Sequence, residues 1–513
     1  VGANAHLLAY LYDEGMTDEY LALARQFVRA APSSPEAYLA LGLGLHRAAR
    51  VDEAAGAFEV ALTLMDPGLR AEFENLSRIL SKEAAKAYEG LAPAQRREYE
   101  RRFWAQADPL FLTAANEFRL EYMARMTYAD FRFGIPEYGI RGWETDRGLI
   151  YVRYGEPVRK ATFGPPGSHS SDMDAFGKVT TVWAYGPDGP VFVFRQNPGY
   201  RRAVFGGDFA FYADNYRAVR PAVFSAPSVP ERFDLPVQVA RFRGPDGALD
   251  IEVHSLLPLA QLGSGAAVAE GEIELGVFVQ DEKAKELQRD ARTEVVAFRG
   301  DSAKTGRIES WRLTLSPADE YLVGVEARDP LTWRAAVGRV VVPATRFPAG
   351  TLGVSDMLLA YHVEPLAAEP VRRSDFRIAP NPAMRYGVDE PVAIYFEIYN
   401  LLPDSDQFAS YELELTVTIE EIERKGPGIR RLLGELADKW GLTAEGSDVV
   451  QLRFRKEAHV RARDLIPEFF EIQLPGAPAG RYRLKLTVLD RNADRSVITE
   501  REFRIGNDER EEP

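Results

Sequence analysis

Apolar residues in the first part of the chain recur at intervals of three and four, and β-branched runs are few. This pattern predicts α-helices over residues 1–104. Helices are predicted in particular at Pro93–Trp104 and along the amphipathic run Leu110–Phe131. After Arg220 the pattern changes to short alternating runs separated by turn signals, which is typical of β-strands. The sequence therefore predicts a helical front and a β-rich back.

The helical front contains one set of apolar residues at the spacings of a tetratricopeptide repeat, whose period is about 34 residues. Small Gly42 and Ala54 would let two antiparallel helices approach closely, while larger residues fill the seam. Such a stack would serve either as a groove for a partner's peptide or as a packing module. The residues predicted to pack the repeat are Tyr38, Leu41, Gly42, Leu45, Ala54, Phe58 and Ala61. The equivalent positions one period earlier are Leu7, Leu11, Ala24, Phe27 and Pro32.

The most distinctive stretch is the pentapeptide Gly142-Trp143-Glu144-Thr145-Asp146. It is followed by Leu149–Tyr154, a β-branched and aromatic run that lies between Gly148 and the pair Gly155 and Pro157. Because β-branched and aromatic residues favour strands while Gly and Pro favour turns, the stretch is predicted to form a turn, a strand and a second turn.

The pentapeptide resembles the signature of the GWxTD-domain proteins, a bacterial family, and the similarity continues through Arg-Gly-x-x-Tyr-x-x-Tyr-Gly-x-Pro. Val182–Tyr185 and Val191–Phe194 resemble the family's second and third strands, and Tyr395–Leu401 is similar to what often follows the domain. The resemblance implies a central α+β domain over residues 105–220, with an antiparallel meander, and it brings no established activity. The residues that match the family motif are Gly142, Trp143, Thr145, Asp146, Arg147, Gly148, Tyr151, Tyr154, Gly155 and Pro157.

Two series of short strands follow the central domain. Their number and spacing favour two immunoglobulin-like β-sandwiches over a parallel sheet, the first over residues 221–370 and the second over residues 371–513. A short helix is predicted within the second series at Ile429–Trp440, and the chain ends in an acidic tail. The predicted fold class is thus a multidomain α+β protein with helical repeats in front, a GWxTD-like core and two sandwiches behind.

Composition excludes several classes of function. The formal charge of −14 and the pI near 5.2 argue against a nucleic-acid partner, because phosphate binding requires a basic surface. No cysteine is present, so thiol nucleophiles and cysteine-ligated metals are excluded. No apolar run reaches the length of about 18 residues that a membrane-spanning helix needs. The chain begins Val1-Gly2 without methionine, which together with the resemblance indicates a processed protein of the periplasm or cell surface.

Two interpretations of the pentapeptide remain open. In the structural one, Trp143 fills a core and Asp146 accepts backbone N–H groups in a turn, supported by Thr145. In the functional one, Glu144 and Asp146 form an acid–base or metal pair, because positions two apart share one face of an extended segment.

A Gly/Pro/Ser-rich loop adds His169, Asp172 and Asp174 to this alternative site. A calcium EF-hand does not fit, since the twelfth position counted from Asp172 is Trp183 rather than Glu. Ser264 lacks the glycine spacing of a nucleophile elbow, and the six histidines show no zinc-ligand spacing. We therefore predict neither a metal nor a cofactor.

These features together predict a non-enzymatic extracytoplasmic protein that binds other proteins, as a scaffold subunit of a cell-surface, periplasmic or membrane-associated assembly. Modular helical repeats and sandwiches commonly serve as binding surfaces, and no coherent catalytic set is evident. One alternative is an enzyme acting on an envelope polymer, with a carboxylate site at Glu144, Asp146, His169, Asp172 and Asp174. Another is a self-assembling surface protein, a homo-oligomer in which exposed sheet edges pair between copies.

Overall fold

The computed structural model divides the chain into two compact units, residues 1–231 and residues 232–513, which we call unit 1 and unit 2. The predicted boundaries at 104/105 and 370/371 fall inside these units. The predicted helix at Ile429–Trp440 and the acidic tail lie outside the described residues. The structure describes residues 2–163, 179–187, 189–196, 203–205, 232–245, 248–263, 270–298, 306–316, 318–422 and 451–506.

Unit 1 begins with a series of helices, as its apolar periodicity predicts. They are α1 (Gly2–Asp13), α2 (Thr17–Ala30), α3 (Pro35–Arg47), α4 (Val51–Leu64), α5 (Pro67–Phe73), α6 (Lys82–Glu89), α7 (Pro93–Ala107), α8 (Glu117–Phe133) and α9 (Asp146–Tyr154). Short 3₁₀ turns lie at Leu76–Arg78, Pro136–Tyr138 and Gly142–Glu144. Several helices start at a side-chain cap: Ser34 accepts from the Ala37 N–H, and Asn116 accepts from the Arg119 N–H at 2.8 Å.

The first four helices form two successive hairpins. Helix α3 starts 33 residues after α1, and α4 starts 34 residues after α2, so the second hairpin repeats the first at nearly the same interval. Helices α3 and α4 approach closely at Gly42, where an added Cβ would lie 2.9 Å from the Phe58 ring. Ala54 and Ala61 of α4 are buried with Phe58, so this seam is closed by small residues against one large ring.

Helix α8 is the central element of unit 1. Thirteen of its 17 residues are buried, and α1, α3, α4, α7 and α9 all pack against it. Because it is covered on nearly every side, it carries buried polar residues as well as apolar ones. Among the described residues, no helix combines the length and the hydropathy that a membrane crossing requires.

The segment predicted as a strand, Leu149–Tyr154, is instead the greater part of helix α9, so that prediction is wrong. Thr145 caps the helix and Asp146 adds negative charge to its first turn, which is a helix-start signal that outweighs the β-branched composition. Ile150 and Val152 are fully buried, so tertiary packing compensates for their weak helix propensity.

A four-stranded antiparallel sheet completes unit 1. Its strands are β1 (Arg159–Phe163), β2 (Val179–Ala184), β3 (Val191–Gln196) and β4 (Ala203–Phe205), in that spatial order. The strands predicted at Val182–Tyr185 and Val191–Phe194 correspond to β2 and β3, with Ala184 paired to Val191. Trp183, Phe192 and Phe194 belong to the same buried core as the helices, so the sheet and the helices share one core.

Unit 2 is almost entirely β-sheet, as the alternating pattern predicts. Its first pair of sheets has the strand orders β10-β7-β6 and β5-β12-β11-β8-β9. All pairings are antiparallel except that of β5 with β12. The elements are β5 (Arg232–Asp234), β6 (Val237–Arg243), β7 (Leu249–Leu257), α10 (Leu259–Leu262), β8 (Glu270–Asp281), β9 (Glu286–Ala297), β10 (Arg307–Leu315), β11 (Glu320–Arg328) and β12 (Ala335–Pro343).

The second pair of sheets has the order β16-β22-β21-β18-β19 in one sheet, and in the other β17 pairs with β13, β14 and β20 while β15 pairs with β14. All eight residues of β17 are buried. The strands are β13 (Gly353–Val354), β14 (Leu358–Pro365), β15 (Phe376–Pro380), β16 (Arg385–Tyr386), β17 (Val392–Tyr399), β18 (Phe408–Ile422), β19 (Gln451–Arg461), β20 (Leu465–Ile472), β21 (Gly480–Asp490) and β22 (Arg495–Ile505).

The two sheet pairs of unit 2 meet through a small core of their own. Ala240 and Phe242 of β6 pack there with Leu358 of β14 and with Ala393 and Tyr395 of β17. This contact joins the two halves of unit 2, and we call it the sheet joint.

Candidate functional site

The pentapeptide is the first candidate, and it forms the joint between α8 and α9. Gly142 begins the 3₁₀ turn, and its backbone lies against that of α8: an added Cβ would be only 1.8 Å from the Ala129 carbonyl oxygen. The Gly142 N–H donates to Asp130 Oδ1 at 2.8 Å, and Arg141 donates to Oδ2 of the same carboxylate at 3.0 Å. Burial raises the pKa of Asp130, although the hydrogen bond from Gly142 and the Arg141 charge oppose that rise.

Trp143 is a core residue. Its side chain is 2% exposed, and its ring meets Phe73 edge-on with the ring centres 5.7 Å apart. The Arg141 guanidinium lies 5.5 Å from the centre of the indole, within the range of a cation–π contact. The indole therefore fixes the turn to the helical core and is not presented to solvent.

Thr145 is the N-cap of α9. Its Oγ1 accepts from the Gly148 N–H at 3.1 Å and donates to the Gly142 carbonyl at 2.7 Å. Gly148 is equally confined, because a Cβ there would lie 1.8 Å from the Gly142 oxygen. Asp146 is the first residue of α9 and is 4% exposed, at the helix end where the dipole favours negative charge.

The candidate carboxylate pair is not brought together. Glu144 is exposed and its Oε2 accepts from the Arg141 N–H at 2.8 Å, whereas Asp146 is buried. The predicted extended geometry is wrong, because the segment turns helically and positions two apart then point to different sides. The other members of the alternative site, His169, Asp172 and Asp174, lie outside the described residues.

The rest of the motif packs around α9. Burial, with a smaller contribution from the nearby Arg132 charge, lowers the pKa of Arg147 to about 10, and its guanidinium lies 5.0 Å from the centre of the Phe133 ring. Tyr151 stacks on Tyr128 of α8 with 4.3 Å between ring centres. At the end of the helix, the Tyr154 ring packs on Tyr185 and Phe192. Gly155 ends the helix with a φ of +76°, and the partly buried Pro157 follows two residues later.

Arg153 completes this joint. The side chain is 1% exposed, and its Nη1 donates to the carbonyls of Arg78 at 3.2 Å and Leu80 at 3.0 Å. It thereby ties α9 to the segment after the 3₁₀ turn at Leu76–Arg78. A buried arginine in an amphipathic run has no sequence signal that distinguishes it from a surface one.

The residues predicted to pack the helical repeat are in the interior or half-buried. Tyr38 and Leu41 are half-buried, and Gly42, Leu45, Ala54, Phe58 and Ala61 are buried. Their side chains therefore form the seam between helices and leave the outer helix faces to meet any partner. Among the described residues there is no group of three or more His, Asp or Glu that could hold a metal ion.

A second candidate is a groove on α7, which we call the α7 groove. Its volume is about 600 Å³. The half-buried rings of Tyr99 and Phe103 form its wall, and Glu98 and Arg102 stand beside them as exposed charges of opposite sign. The same face is continued at helical spacing by the other lining residues of α7, which are Ala94, Gln95 and Gln106. Leu91, just before the helix, completes the lining.

Helix α7 is anchored in the core beside and behind the groove. Trp104 is buried against Tyr122 of α8, with ring centres 5.3 Å apart, and the groove residue Phe103 meets Phe118 at 6.0 Å. Tyr88 of α6 packs on Tyr99 at 5.5 Å. The groove is thus held by a fixed aromatic support, as a preformed binding surface requires.

No protein-family model matches the chain, and a search of curated proteins finds no match.

Proposed function

We propose that the protein is a non-enzymatic, extracytoplasmic scaffold subunit of a cell-surface, periplasmic or membrane-associated assembly, and that unit 1 binds a partner protein in the α7 groove. The observation that carries the proposal is the groove itself, an apolar channel with two half-exposed aromatic rings. Exposed apolar concavities on a folded surface commonly mark protein interaction sites. Aromatic residues are also enriched among those that contribute most to binding.

The partner segment that fits is an amphipathic helix. Helix α7 has 15 residues and a length of about 22 Å, so the groove beside it extends for three to four helical turns of a partner. Apolar anchors at helical spacing would contact Tyr99 and Phe103, and a pair of opposite charges would face Glu98 and Arg102.

The wider architecture supports the same proposal. We infer that the helical hairpins are tetratricopeptide-like, supported by their 33- and 34-residue offsets. We infer also that the chain is a GWxTD-domain protein, supported by its motif residues and by the tight packing of the motif glycines Gly142 and Gly148. We infer further that the two sheet pairs are immunoglobulin-like sandwiches, supported by their mostly antiparallel strands and by the core that the two sheets of each pair share. Helical repeats and β-sandwiches are both common protein-binding scaffolds.

Site-specific photocrosslinking in the native cells tests the proposal. A benzoylphenylalanine placed at Gln95, inside the groove, should give a reproducible crosslink to one other protein. The matched control carries the same group at Arg97, an exposed position on α7 outside the groove, and should give none. The variant Ala94→Glu, which places a charge at an exposed position of the groove, should remove the partner from particles isolated in mild detergent.

Two outcomes would overturn the proposal. One is a crosslink from Arg97 as strong as that from Gln95, since the groove would then have no special role. The other is a particle that contains this chain alone, either as a monomer or as a homo-oligomer whose mass depends on concentration, which would favour self-assembly through sheet edges.

A further inference from the structure

A group of cationic side chains lies where β1 meets the core of unit 1. The guanidinium carbons of Arg132 and Arg147 are 5.9 Å and 5.0 Å from the centre of the Phe133 ring. Lys160 of β1 lies directly across from Trp183 of β2, whose ring centre is 5.7 Å from that of Phe133. Because cross-strand partners share one side of a sheet, Lys160 stands beside the same two rings. We call Arg132, Arg147 and Lys160 the cation cluster.

Two of the three cations have no carboxylate of their own. Arg132 is paired with Asp13 at 2.9 Å. Neither Arg147 nor Lys160 forms an ion pair or a side-chain hydrogen bond with any residue that the structure describes. Asp13 is already engaged, since it also accepts from the Tyr128 hydroxyl at 2.5 Å. The cluster therefore keeps hydrogen-bond donors that a ligand can use.

The charges of the cluster also act on one another. Burial lowers the pKa of Arg147 to about 10, and the Arg132 charge adds to this effect. Partial burial and the charges of Arg132 and Arg147 lower the pKa of Lys160, against the pull of two nearby carboxylates. Each of these cations is thus held close to another positive charge. A bound anion would relieve that repulsion.

The balance of charge around the cluster is positive. The two nearby carboxylates are Asp13 and exposed Glu156, and Glu156 also attracts Arg47. Even with Arg47 and Glu156 included, four cations stand against two carboxylates. A phosphate monoester carries a charge of about −1.5 to −2 at pH 7, so it matches this excess.

A buried hydrogen-bond donor lies beside the cluster. Trp183 is 2% exposed, and its indole Nε1 has no hydrogen-bond partner within the described part of the chain. Buried polar groups are nearly always hydrogen-bonded. This donor therefore suits a ligand that carries acceptor oxygens, as a phosphate does.

We propose that the cation cluster binds a phosphate monoester group, which Arg147 and Lys160 contact directly while Arg132 supplies a third positive charge. A guanidinium can donate two parallel hydrogen bonds to phosphate oxygens, and the exposed Lys160 ammonium can approach the same group from solvent. A soluble phosphate monoester and the headgroup of phosphatidic acid both carry this group. The site shares no residue with the α7 groove and does not depend on the partner proposed there.

Two binding measurements on the full chain separate these sources. Isothermal titration calorimetry with glycerol 3-phosphate tests the soluble ligand, and glycerol is its uncharged control. Cosedimentation with phosphatidylcholine vesicles that contain phosphatidic acid tests the lipid, and vesicles of phosphatidylcholine alone are the control. Saturable binding is expected in at least one measurement and in neither control. Hydrogen exchange in β1 and in the first turns of α9 should slow when the probe is bound, which locates the site.

Substitutions in the cluster make the test specific. Lys160→Gln should weaken binding about threefold, as expected for a solvated charge pair, and Lys160→Arg should retain it. Arg147→Gln should weaken binding about tenfold or more, because it removes a two-pronged charged contact. The matched control is Arg159→Gln, the exposed neighbour of Lys160 whose side chain lies on the other side of β1. This variant should bind as the wild type does.

The proposal would be overturned by the absence of saturable binding in both measurements, or by equal binding of the controls without a phosphate monoester. It would also be overturned if Arg159→Gln weakened binding as much as Lys160→Gln does, since the attraction would then be diffuse. Because Lys160 is exposed, its substitution does not threaten the fold, and circular dichroism checks this for each variant. Loss of phosphate binding would leave the α7 groove proposal intact.

Discussion

In unit 1 the joint between α8 and α9 is a contact of backbone with backbone, whereas in unit 2 the sheet joint is crossed by charged side chains. At the first, a Cβ added to Gly142 or to Gly148 would each lie 1.8 Å from a carbonyl oxygen. At the second, Arg373 from the 3₁₀ turn at Arg373–Asp375 reaches carboxylates on strands of both sheet pairs.

At the sheet joint, each charged side chain has more than one partner. Arg373 lies 2.8 Å from Glu252 and 3.7 Å from both Glu397 and Asp250, and its guanidinium is 3.9 Å from the centre of the Phe242 ring. Glu252 has Arg312 at 2.5 Å as a second cationic partner. Glu397 also accepts from the hydroxyls of Tyr395 at 3.1 Å and Tyr399 at 2.6 Å.

The two joints differ in how well they tolerate a substitution. A backbone contact at van der Waals distance leaves no room for one additional methyl group, so it can only be broken. A network of charges loses one member at a time, and its remaining members keep part of their interactions. Three predictions test this contrast, beginning with the backbone joint.

Gly142→Ala should have the largest effect. Its methyl group would overlap the Ala129 carbonyl, so the turn must move away from α8 and the cap of α9 is lost with it. We expect a loss of about 4 kcal/mol in the free energy of opening of α9, which is large for a single methyl group. Urea-dependent hydrogen exchange of the α9 amides measures this free energy in the full chain.

The matched control for this variant is Gly56→Ala in α4. No atom lies within 4 Å of the position that its Cβ would take, so the methyl group meets no obstacle. Since Ala is the better helix former, α4 should be stabilised by about 0.5 to 1 kcal/mol. If Gly142→Ala were as harmless as Gly56→Ala, the backbone joint would not be confined as described.

Arg373→Met should have a smaller effect, confined to the sheet joint. The change leaves Glu397 buried without its nearest cation, and we expect a loss of about 3 kcal/mol in the free energy of opening of β17. Hydrogen exchange of the β17 amides measures it. The control is Arg377→Met on β15, whose side chain is 71% exposed, and which should change stability by less than about 0.5 kcal/mol.

A double variant sharpens the contrast with unit 1. Adding Glu397→Gln to Arg373→Met removes the unpaired buried carboxylate, so part of the lost stability should return. No second substitution should rescue Gly142→Ala in the same way, because the obstacle is a main-chain carbonyl. Equal losses in the single and double variants would show that the unpaired Glu397 carboxylate is not the source of the lost stability.

The sequence pattern was sufficient for elements with a strong local signal. The short alternating runs after Arg220 predict β-strands, and strands are found there, among them β17; the apolar periodicity of the first hundred residues predicts the helices found there. Trp143 was predicted to fill a core, and it is buried. In each case the residue type and its immediate neighbours favour one environment, so no knowledge of distant residues is needed.

The pattern failed where distant parts of the chain decide the outcome. The strand prediction for α9 fails because Ile150, Tyr151 and Val152 have strand propensity, whereas packing against α8, together with the Thr145 cap, favours the helix. His46 meets Glu121 and Arg373 meets Glu252 across long stretches of chain, and no spacing in the sequence links either pair. Such contacts follow from the completed fold and leave no local signal.

The smallest predicted effect is the acid sensitivity of the sheet joint. Burial would raise the pKa of Glu252, but the hydrogen bond from His254 and the charges of Arg373 and Arg312 outweigh it and lower the pKa from 4.5 to about 2. A carboxyl group with a lowered pKa stabilises the fold above its unfolded value, and this contribution is lost as the pH falls from 4.5 towards 2.

The lowered pKa of Glu252 sets an upper limit of about 3 kcal/mol on the loss in the free energy of unfolding. We expect a loss of about 2 kcal/mol, because Arg373 keeps Asp250 and Glu397 as partners. Pulse proteolysis with pepsin in urea, at pH values between 4.5 and 2, measures the stability around β7 in this range. Glu252→Gln removes the titrating group, so its stability should vary less with pH than that of the wild type. If both proteins lost stability in parallel, Glu252 would not be the group that responds to acid.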